Sequence, residues 1–393
     1  MNNSRLVKRV VTCQGSIQLV TALSVINYRE REQKLGTRYE NYLIIYDLNS
    51  PPGQIDAFAA FIEKMAQLIC DWKKILYIPR EQMKSLADDS KTSRASTYFA
   101  RIHQLVGTDS TDEIYLSRNW QFGNQLFINA YRSAQKICYG DSIGIYFGSD
   151  SQAFFLPQNQ LKQWLKKIVT HTRSTLGSAA MQTINFDRGY FILPEILGEQ
   201  PPMPVTVTDS AGLLKTFGQL RCLIDRDYIA EIQQQIKGKT VSILLTSNFS
   251  EAGRMSLQQE IEAYRKFLLE VGVSDRSVLI IKPHPRDSSQ KMAALKDAFK
   301  KLFTQIIVLS DTSLFFLPFE AFFTAAFLDE SYELTYKVRV YAFSSACLSL
   351  KLLFDVPSYI GFGHTITDSF FDRDHAPGRI KHEQDLRMAL TRI

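Results

Sequence analysis

Val278-Leu-Ile-Ile-Lys-Pro-His-Pro-Arg286 is the stretch whose reading decides the fold. Its four leading apolar residues, three of them β-branched, run without interruption. That is the pattern of a strand buried on both faces, as in a parallel sheet. Pro283 and Pro285 then end the strand. Each fixes φ and lacks a backbone donor, so His284 between them is held on a stiff, non-helical turn. Ligands of open α/β sheets collect beyond the carboxyl ends of the strands. A histidine fixed there, flanked by Lys282 and Arg286, suits an anionic substrate and proton transfer near neutral pH. The same residues also describe a plain strand exit with a surface histidine, and the neighbouring segments decide between the two.

Working outward, strand and helix patterns alternate on both sides. Upstream, Leu6–Cys13 reads as a strand, Gln14-Gly15-Ser16 as a turn, and Ile17–Tyr28 as a helix that Ser16 can cap. Strands are expected at Tyr42–Tyr46, Lys74–Ile78, Glu113–Ser117 and Lys136–Tyr139, with helices over Ile55–Cys70 and Asn124–Ala134. The polar residues 83–95 read as a loop. Around the opening stretch, Thr240–Thr246, Gln305–Leu309, Lys337–Ala342 and Pro357–Gly361 read as further strands. Ser256 and Gln259 form a capping box before a helix that reaches Val271. Further helices are expected over Lys291–Phe303, Phe319–Leu328, Ser344–Phe354 and Lys381–Leu390, the last returning toward the first domain. Such alternation specifies an α/β fold with parallel sheets and right-handed crossovers. Three prolines in Gly198–Pro204 mark the linker. The domains are therefore expected at 1–200 and 205–375, both Rossmann-like, with 376–393 as a terminal tail or helix.

Composition narrows the function. A length of 393 residues allows two or three domains. With 45% hydrophobic and 22% charged residues, the chain has the balance of a soluble globular protein. The net charge of +6 favours anionic partners such as nucleotides or acidic sugars. No basic run with interleaved aromatics is present, which excludes a nucleic-acid partner as the expectation. The 26 Phe and 17 Tyr offer stacking surfaces for a base or sugar. Cys13, Cys70, Cys138, Cys222 and Cys347 are widely spaced, fit no zinc or redox motif, and point to a reducing, cytoplasmic setting. The start of the chain lacks signal-peptide form. Leu314–Leu328 is too short and too broken to span a bilayer. Leu161–Val169 reads as a basic amphipathic helix with two readings open: packing on the core, or peripheral contact with an anionic inner-membrane surface.

Several segments gather chemistry at the same sheet edge. Tyr341–Ala346 passes from strand to helix, so Ser344 and Ser345 and the free N–H groups of a helix start make either an anion site or a simple cap. Glu320, after Pro318, opens a very apolar helix and can either accept from ribose hydroxyls or serve the helix dipole alone. Thr246-Ser247-Asn248 adds hydroxyls and an amide. In the first domain, Asp141 follows a strand between Gly140 and Gly144, where it is either a turn residue or a general base.

Taken in order, these pieces resemble the bacterial two-Rossmann (GT-B) sialyltransferases, in particular the capsular polysialyltransferase and lipooligosaccharide sialyltransferase families. The resemblance runs from Cys13-Gln-x-x-Ile-Gln-Leu19 to the serine pair, and Lys282-Pro-His-Pro-Arg286 is its most telling part. The families carry an acidic–acidic–glycine triplet; Gly140-Asp141-Ser142 keeps only its carboxylate. The resemblance implies two Rossmann-like domains facing across a cleft, the first serving the acceptor and the second a CMP-activated nonulosonic acid. Asp141 and His284 would be the catalytic base and the leaving-group donor. Ser344 and Ser345 would hold the phosphate, Glu320 the ribose, with Lys282, Pro285, Arg286, Ser247 and Asn248 completing the nucleotide site. It implies an inverting transfer to a glycan hydroxyl, without a metal or other cofactor. Two alternatives stay open: a nucleotide-sugar enzyme using UDP or GDP sugars, or a catalytically weak CMP- or glycan-binding homologue.

Overall fold

The apolar runs form strands that hydrogen-bond in parallel throughout. In this computed structural model, residues 5–32, 36–119, 121–145, 181, 184–196, 200–273, 276–311 and 313–393 are described. They divide into two units, Met1–Asn49 with Asp56–Thr216, and Ser50–Ile55 with Phe217–Ile393.

The first unit holds β1 (Leu6–Cys13), β2 (Arg38–Tyr46), β3 (Lys74–Ile78), β4 (Glu113–Leu116), β5 (Gln135–Cys138), β6 (Arg188–Phe191) and β7 (Val205–Val207). Their order is β3-β2-β1-β4-β5-β6-β7, and every pairing is parallel. The second unit holds β8 (Val241–Leu245), β9 (Val278–Lys282), β10 (Gln305–Val308), β11 (Val338–Ala342) and β12 (Ser358–Ile360), again all parallel, in the order β10-β9-β8-β11-β12. In each sheet the first strand lies inside and the order reverses beside it, between β1 and β4 and between β8 and β11. That is the Rossmann-like arrangement, and it places a ligand crevice at the carboxyl end of each reversal.

Each core follows from the strand pattern. In the first unit Val10, Ile44, Ile78, Ile114 and Leu116 pack with Leu126 and Phe127 of the helix Phe122–Ala130. In the second, Leu244, Leu279 and Ile281 pack with Tyr264 and Phe267 of the helix Leu257–Glu270, which starts with the expected Ser256–Gln259 capping box. Cys13, Cys138 and Cys347 are buried free thiols.

Several expectations are corrected. Residues 83–95 are not a loop: helices span Arg80–Thr92 and Ala95–Val106. Met83, Leu86 and Ser90 alone supply the buried face of the first of these, so its polar majority hides the period. The first unit does not end at Gly198–Pro204, because β7 follows that segment and still pairs with β6. The helix at the C-terminus runs from Ala376 to Leu390 and packs on helices Ala346–Phe354 and Gly363–Phe370 and on β12, all in the second unit. Leu161–Val169 lies outside the described residues. Among the described residues, no helix is long and apolar enough to cross a membrane.

A buried charge cluster ties the first helix, Ser16–Glu32, to its sheet. Glu113 on β4 accepts from Arg9 Nε at 3.1 Å and from Arg29 Nη2 at 2.7 Å. Arg9 is fully buried, over the Tyr39 ring at 3.5 Å, and reaches Glu30 at 2.5 Å. Removing one partner of such a group leaves buried charge uncompensated. We therefore expect Glu113→Ala to destabilise the protein by about 3–5 kcal/mol, read as a fall in the midpoint of chemical denaturation; a change under about 1 kcal/mol would contradict this.

Candidate active site

The second sheet positions most of the residues expected from sequence. β8 and β9 are neighbours, so the loops that leave them run side by side. The His284 backbone N–H is shared by Thr246 Oγ1 at 2.9 Å and Asp287 Oδ2 at 2.8 Å. Asp287 N–H returns to the His284 carbonyl at 2.9 Å, closing a tight turn around Pro285. The ring is fixed as well: Arg286 N–H donates to His284 Nδ1 at 3.2 Å. An Nδ1 that accepts leaves the proton of the neutral imidazole on Nε2, and Nε2 has no hydrogen-bond partner among the described residues.

The electrostatics decide the form of the ring. Burial first, then the positive charges of Lys282, Lys291 and Arg286, push the His284 imidazole down to about 4, against a weaker opposite pull from Glu251. The ring is thus neutral near pH 7 and offers an N–H, where the sequence suggests a group titrating near neutrality. Burial also lowers Lys282 to about 8, with Asp287 and Glu320 drawing it back upward. Lys282 Nζ donates to the Pro283 carbonyl at 2.9 Å.

Across the switch point, β11 hands over to the helix Ala346–Phe354. Ser345 is its N-cap residue, but makes no side-chain cap bond, and Ser344 is exposed. Both residues stand at the positive end of the helix dipole, where the N–H groups of Cys347 and Leu348 turn back to the Ser344 and Ser345 carbonyls at 3.3 and 3.0 Å. Ser247 is held by its backbone: its N–H donates to Tyr264 Oη at 2.8 Å, and its carbonyl accepts from Lys291 Nζ at 2.6 Å. Asn248 opens the following turn, where its carbonyl accepts from Ala252 N–H at 3.0 Å.

Glu320 is the expected site residue that the structure closes off. It is 4% exposed and accepts from its own backbone N–H and from the Ser349 hydroxyl, while burial raises its carboxyl above the usual range. It joins the start of the helix Phe319–Phe327 to the serine-bearing helix.

Aromatic packing sets the height of these loops. Phe249, Phe343 and Phe362 follow β8, β11 and β12, and their rings meet at centroid distances of 4.4–5.8 Å. These phenylalanines are core rather than the stacking surface that composition suggests. Arg379 of the helix Ala376–Leu390 lies against two of them, 5.0 Å from Phe249 and 5.5 Å from Phe343. It donates to the Phe343 carbonyl at 3.1 Å and to Glu383 at 2.6 Å. Glu383 in turn accepts from the N–H groups of Phe362 and Gly363, at 2.9 and 2.8 Å. One helix thus pins the loops after β11 and β12.

Sequence reasoning named Thr246 but missed the rest of this supporting set: Asp287, Lys291, Glu260, Arg379 and Glu383. Spacing carried a signal, since Asp287 and Lys291, like Arg379 and Glu383, are four apart on or beside a helix.

Asp141 lies in the first unit, at the carboxyl end of β5. Gly140 and Ser142 both have positive φ, +76° and +54°, and Asp141 and Ile145 exchange backbone hydrogen bonds at 3.0 Å. A Cβ at residue 140 would meet the Ile145 carbonyl oxygen at 2.7 Å, so glycine is required there. Gln18 Nε2 at 2.8 Å and Arg118 Nη2 at 2.7 Å both donate to Asp141 Oδ1. Oδ2 has no partner among the described residues. No group of three or more potential metal-ligating side chains occurs among the described residues.

The profile of the alpha-2,8-polysialyltransferases matches residues 9–326. The chain belongs to the alpha-2,8-polysialyltransferase family. It is a sialyltransferase-like glycosyltransferase. The match contains Asp141, His284 and Glu320 and stops before Ser344. No curated protein matches the chain significantly. Among solved structures, the chain is similar to the UDP-GlcNAc 2-epimerase of Methanocaldococcus jannaschii in complex with UDP-GlcNAc and UDP, at 10% identity and a TM-score of 0.48 over 96% of this chain and 92% of that one. It is also similar to a family 9 glycosyl transferase of Veillonella parvula, at 7% identity and a TM-score of 0.39 over 92% and 81% of the two chains. A third is the E. coli heptosyltransferase WaaC with ADP-2-deoxy-2-fluoro heptose, at 9% identity and a TM-score of 0.37 over 90% and 88%.

The Lys282 environment predicts a pH dependence. Its ammonium is present below about 8 and lost above it, so affinity for a phosphate-bearing ligand should fall as pH rises through that value. Calorimetric titration with CMP between pH 7 and 9.5 is expected to show this fall, and Lys282→Met is expected to bind weakly and flatly across the range. An equal pH dependence in both proteins would refute the assignment.

Proposed function

We propose that this enzyme transfers sialic acid, or a related nonulosonic acid, from a CMP-activated donor to a glycan hydroxyl with inversion at the anomeric carbon. The observation that carries this reading is the fixed, neutral His284 with its Nε2–H unpartnered, beside Lys282 and Arg286 at the carboxyl edge of the second sheet. That set suits an oxygen on which negative charge grows, and donors fixed beforehand stabilise such charge most.

In the proposed step, Asp141 Oδ2 takes the proton of the acceptor hydroxyl as its oxygen attacks the anomeric carbon. The bond from that carbon to the phosphate oxygen breaks, and CMP departs with the electron pair. The His284 Nε2–H hydrogen-bonds the leaving phosphate, Lys282 and Arg286 supply positive charge, and Ser344 and Ser345 with the helix start hold its remaining oxygens. Ser247 and Asn248 line the nucleotide side. Gln18 and Arg118 orient Asp141 through Oδ1 and leave Oδ2 to act. A general base and a positioned donor each contribute about 10²–10⁴-fold. Glu320 is assigned to the support of the serine helix rather than to the ribose.

The test is a transfer assay with CMP-sialic acid and a sialylated glycan, run beside thermal shift with CMP, UDP and GDP sugars. Asp141→Ala is expected to lower kcat by at least about 10²-fold while CMP affinity stays within a few-fold, and His284→Ala to lower kcat similarly in a folded protein. Stabilisation by UDP or GDP sugars but not by CMP would overturn the donor assignment. Binding of CMP without any turnover would make the protein a binding homologue.

A further inference from the structure

Lys291 is the buried group that the proposed reaction does not use. It sits in the first turn of the helix Ser289–Phe299 and is 0% exposed. A lysine there is opposed both by burial and by the positive end of the helix dipole. It is held by Glu260 Oε1 at 2.5 Å, Asp287 Oδ1 at 2.9 Å, Glu251 Oε2 at 3.2 Å and the Ser247 carbonyl at 2.6 Å. The four partners come from three parts of the site. Ser247 and Glu251 lie on the loop after β8, Asp287 on the loop after β9, and Glu260 on the helix Leu257–Glu270. The carboxylates carry the tie further: Glu260 accepts from Ser250 N–H at 2.8 Å, and the second oxygen of Asp287 accepts from His284 N–H at 2.8 Å.

We propose that Lys291 is a positioning residue for sialyl transfer: its ammonium clamps the His284 loop to the Ser247–Glu251 loop and so aims the imidazole Nε2–H at the donor phosphate. The proposal rests on the reading of His284 given above. Displacements of about 1 Å at a reacting centre can lower rates by about 10²-fold, so a clamp two bonds away is a strong lever. The clamp also acts through its charge. The groups facing His284 are Lys282 on β9, Arg286 and Asp287 on its own loop, Lys291 on the following helix and Glu251 on the loop after β8. Removing the Lys291 charge takes away one of the three cations that disfavour the imidazolium.

To limit the buried charge left without a counter-ion, Lys291→Met is paired with Glu260→Gln, and Asp287 keeps the His284 N–H and the Thr246 hydroxyl. In the folded double variant, kcat with CMP-sialic acid should fall about 10–10²-fold, with Kd for CMP within about threefold. The His284 ring, followed by NMR against pH without ligand, should titrate closer to the ordinary value of about 6.5 than in the parent protein. A role in stability alone would leave that titration unmoved. If the first pair does not fold, Lys291→Met with Glu260→Met serves the same purpose. A folded variant with unchanged kcat and an unchanged His284 titration overturns the proposal, and so does failure of both pairs to fold, which would make Lys291 a folding residue only. If the parent protein shows no turnover of CMP-sialic acid, the functional reading fails, while the ring titration still decides whether Lys291 governs His284.

Discussion

A parallel sheet covered on both faces admits polar side chains along its strands only where they are paired, and its backbone donors and acceptors are paired within the ladder. That constraint organises this chain. β8 and β9 are apolar almost throughout, and β1 and β4 bury one charged pair, Arg9 with Glu113, so most of the polar chemistry is driven to the carboxyl ends of the strands. The reversal of strand order then decides which of those ends stand apart enough to admit a ligand. In the first unit the reversal brings the start of the helix Ser16–Glu32, with Gln18, together with the segments after β4 and β5 that carry Arg118 and Asp141. In the second it separates the loops of Thr246 and His284 from that of Ser344.

Loops at such an edge are precise only if something below them is rigid. Here two different devices do this. One is apolar: Phe249, Phe343 and Phe362 interlock beneath the loops after β8, β11 and β12. The other is ionic and deeply buried, with Lys291 among Glu251, Glu260 and Asp287, and Arg379 with Glu383. Buried pairs of this kind add little to stability over apolar packing. What they supply is direction, since a carboxylate accepts from chosen N–H groups and a packed methyl does not. Asp287 gives one oxygen, and Glu383 both, to backbone N–H groups of the loops that carry the site.

The fold was legible because its signal is one of period. Uninterrupted runs such as Val278–Ile281 can be little else than buried strands once prolines follow them, and their alternation with helices specifies parallel sheets. The helix Arg80–Thr92 was not legible, because only Met83, Leu86 and Ser90 face inward and the polar remainder mimics a loop. β7 was obscured by the prolines before it and by its short, exposed length. In the site, His284 and the serine pair announced themselves through residues that are odd in their surroundings. Lys291 and Arg379 did not, since a lysine or arginine in a polar helix looks solvated until the fold shows what it faces. Glu320 shows the other side of this: an acid at a helix start suggests a ligand contact from sequence, and only the fold shows that its carboxylate is buried and accepts from Ser349.

The neutral state of His284 changes what is asked of it. The sequence reading leaves open whether His284 hands a proton to the leaving group or only hydrogen-bonds it. Burial among Lys282, Lys291 and Arg286 holds the ring neutral. On the proposed reading this is sufficient chemistry. A phosphate monoester has a second pKa of about 6, so CMP departs as a stable anion near neutral pH without taking a full proton. Its oxygen needs its growing charge met by hydrogen bonds and nearby cations, and a neutral N–H is easier to bury than an imidazolium. The fixed positive charge comes from Lys282 and Arg286, and the direction comes from a ring whose other nitrogen is already held by the Arg286 N–H. The division of labour explains why a histidine here is surrounded by cations, an arrangement that would be self-defeating if its own protonation were the point.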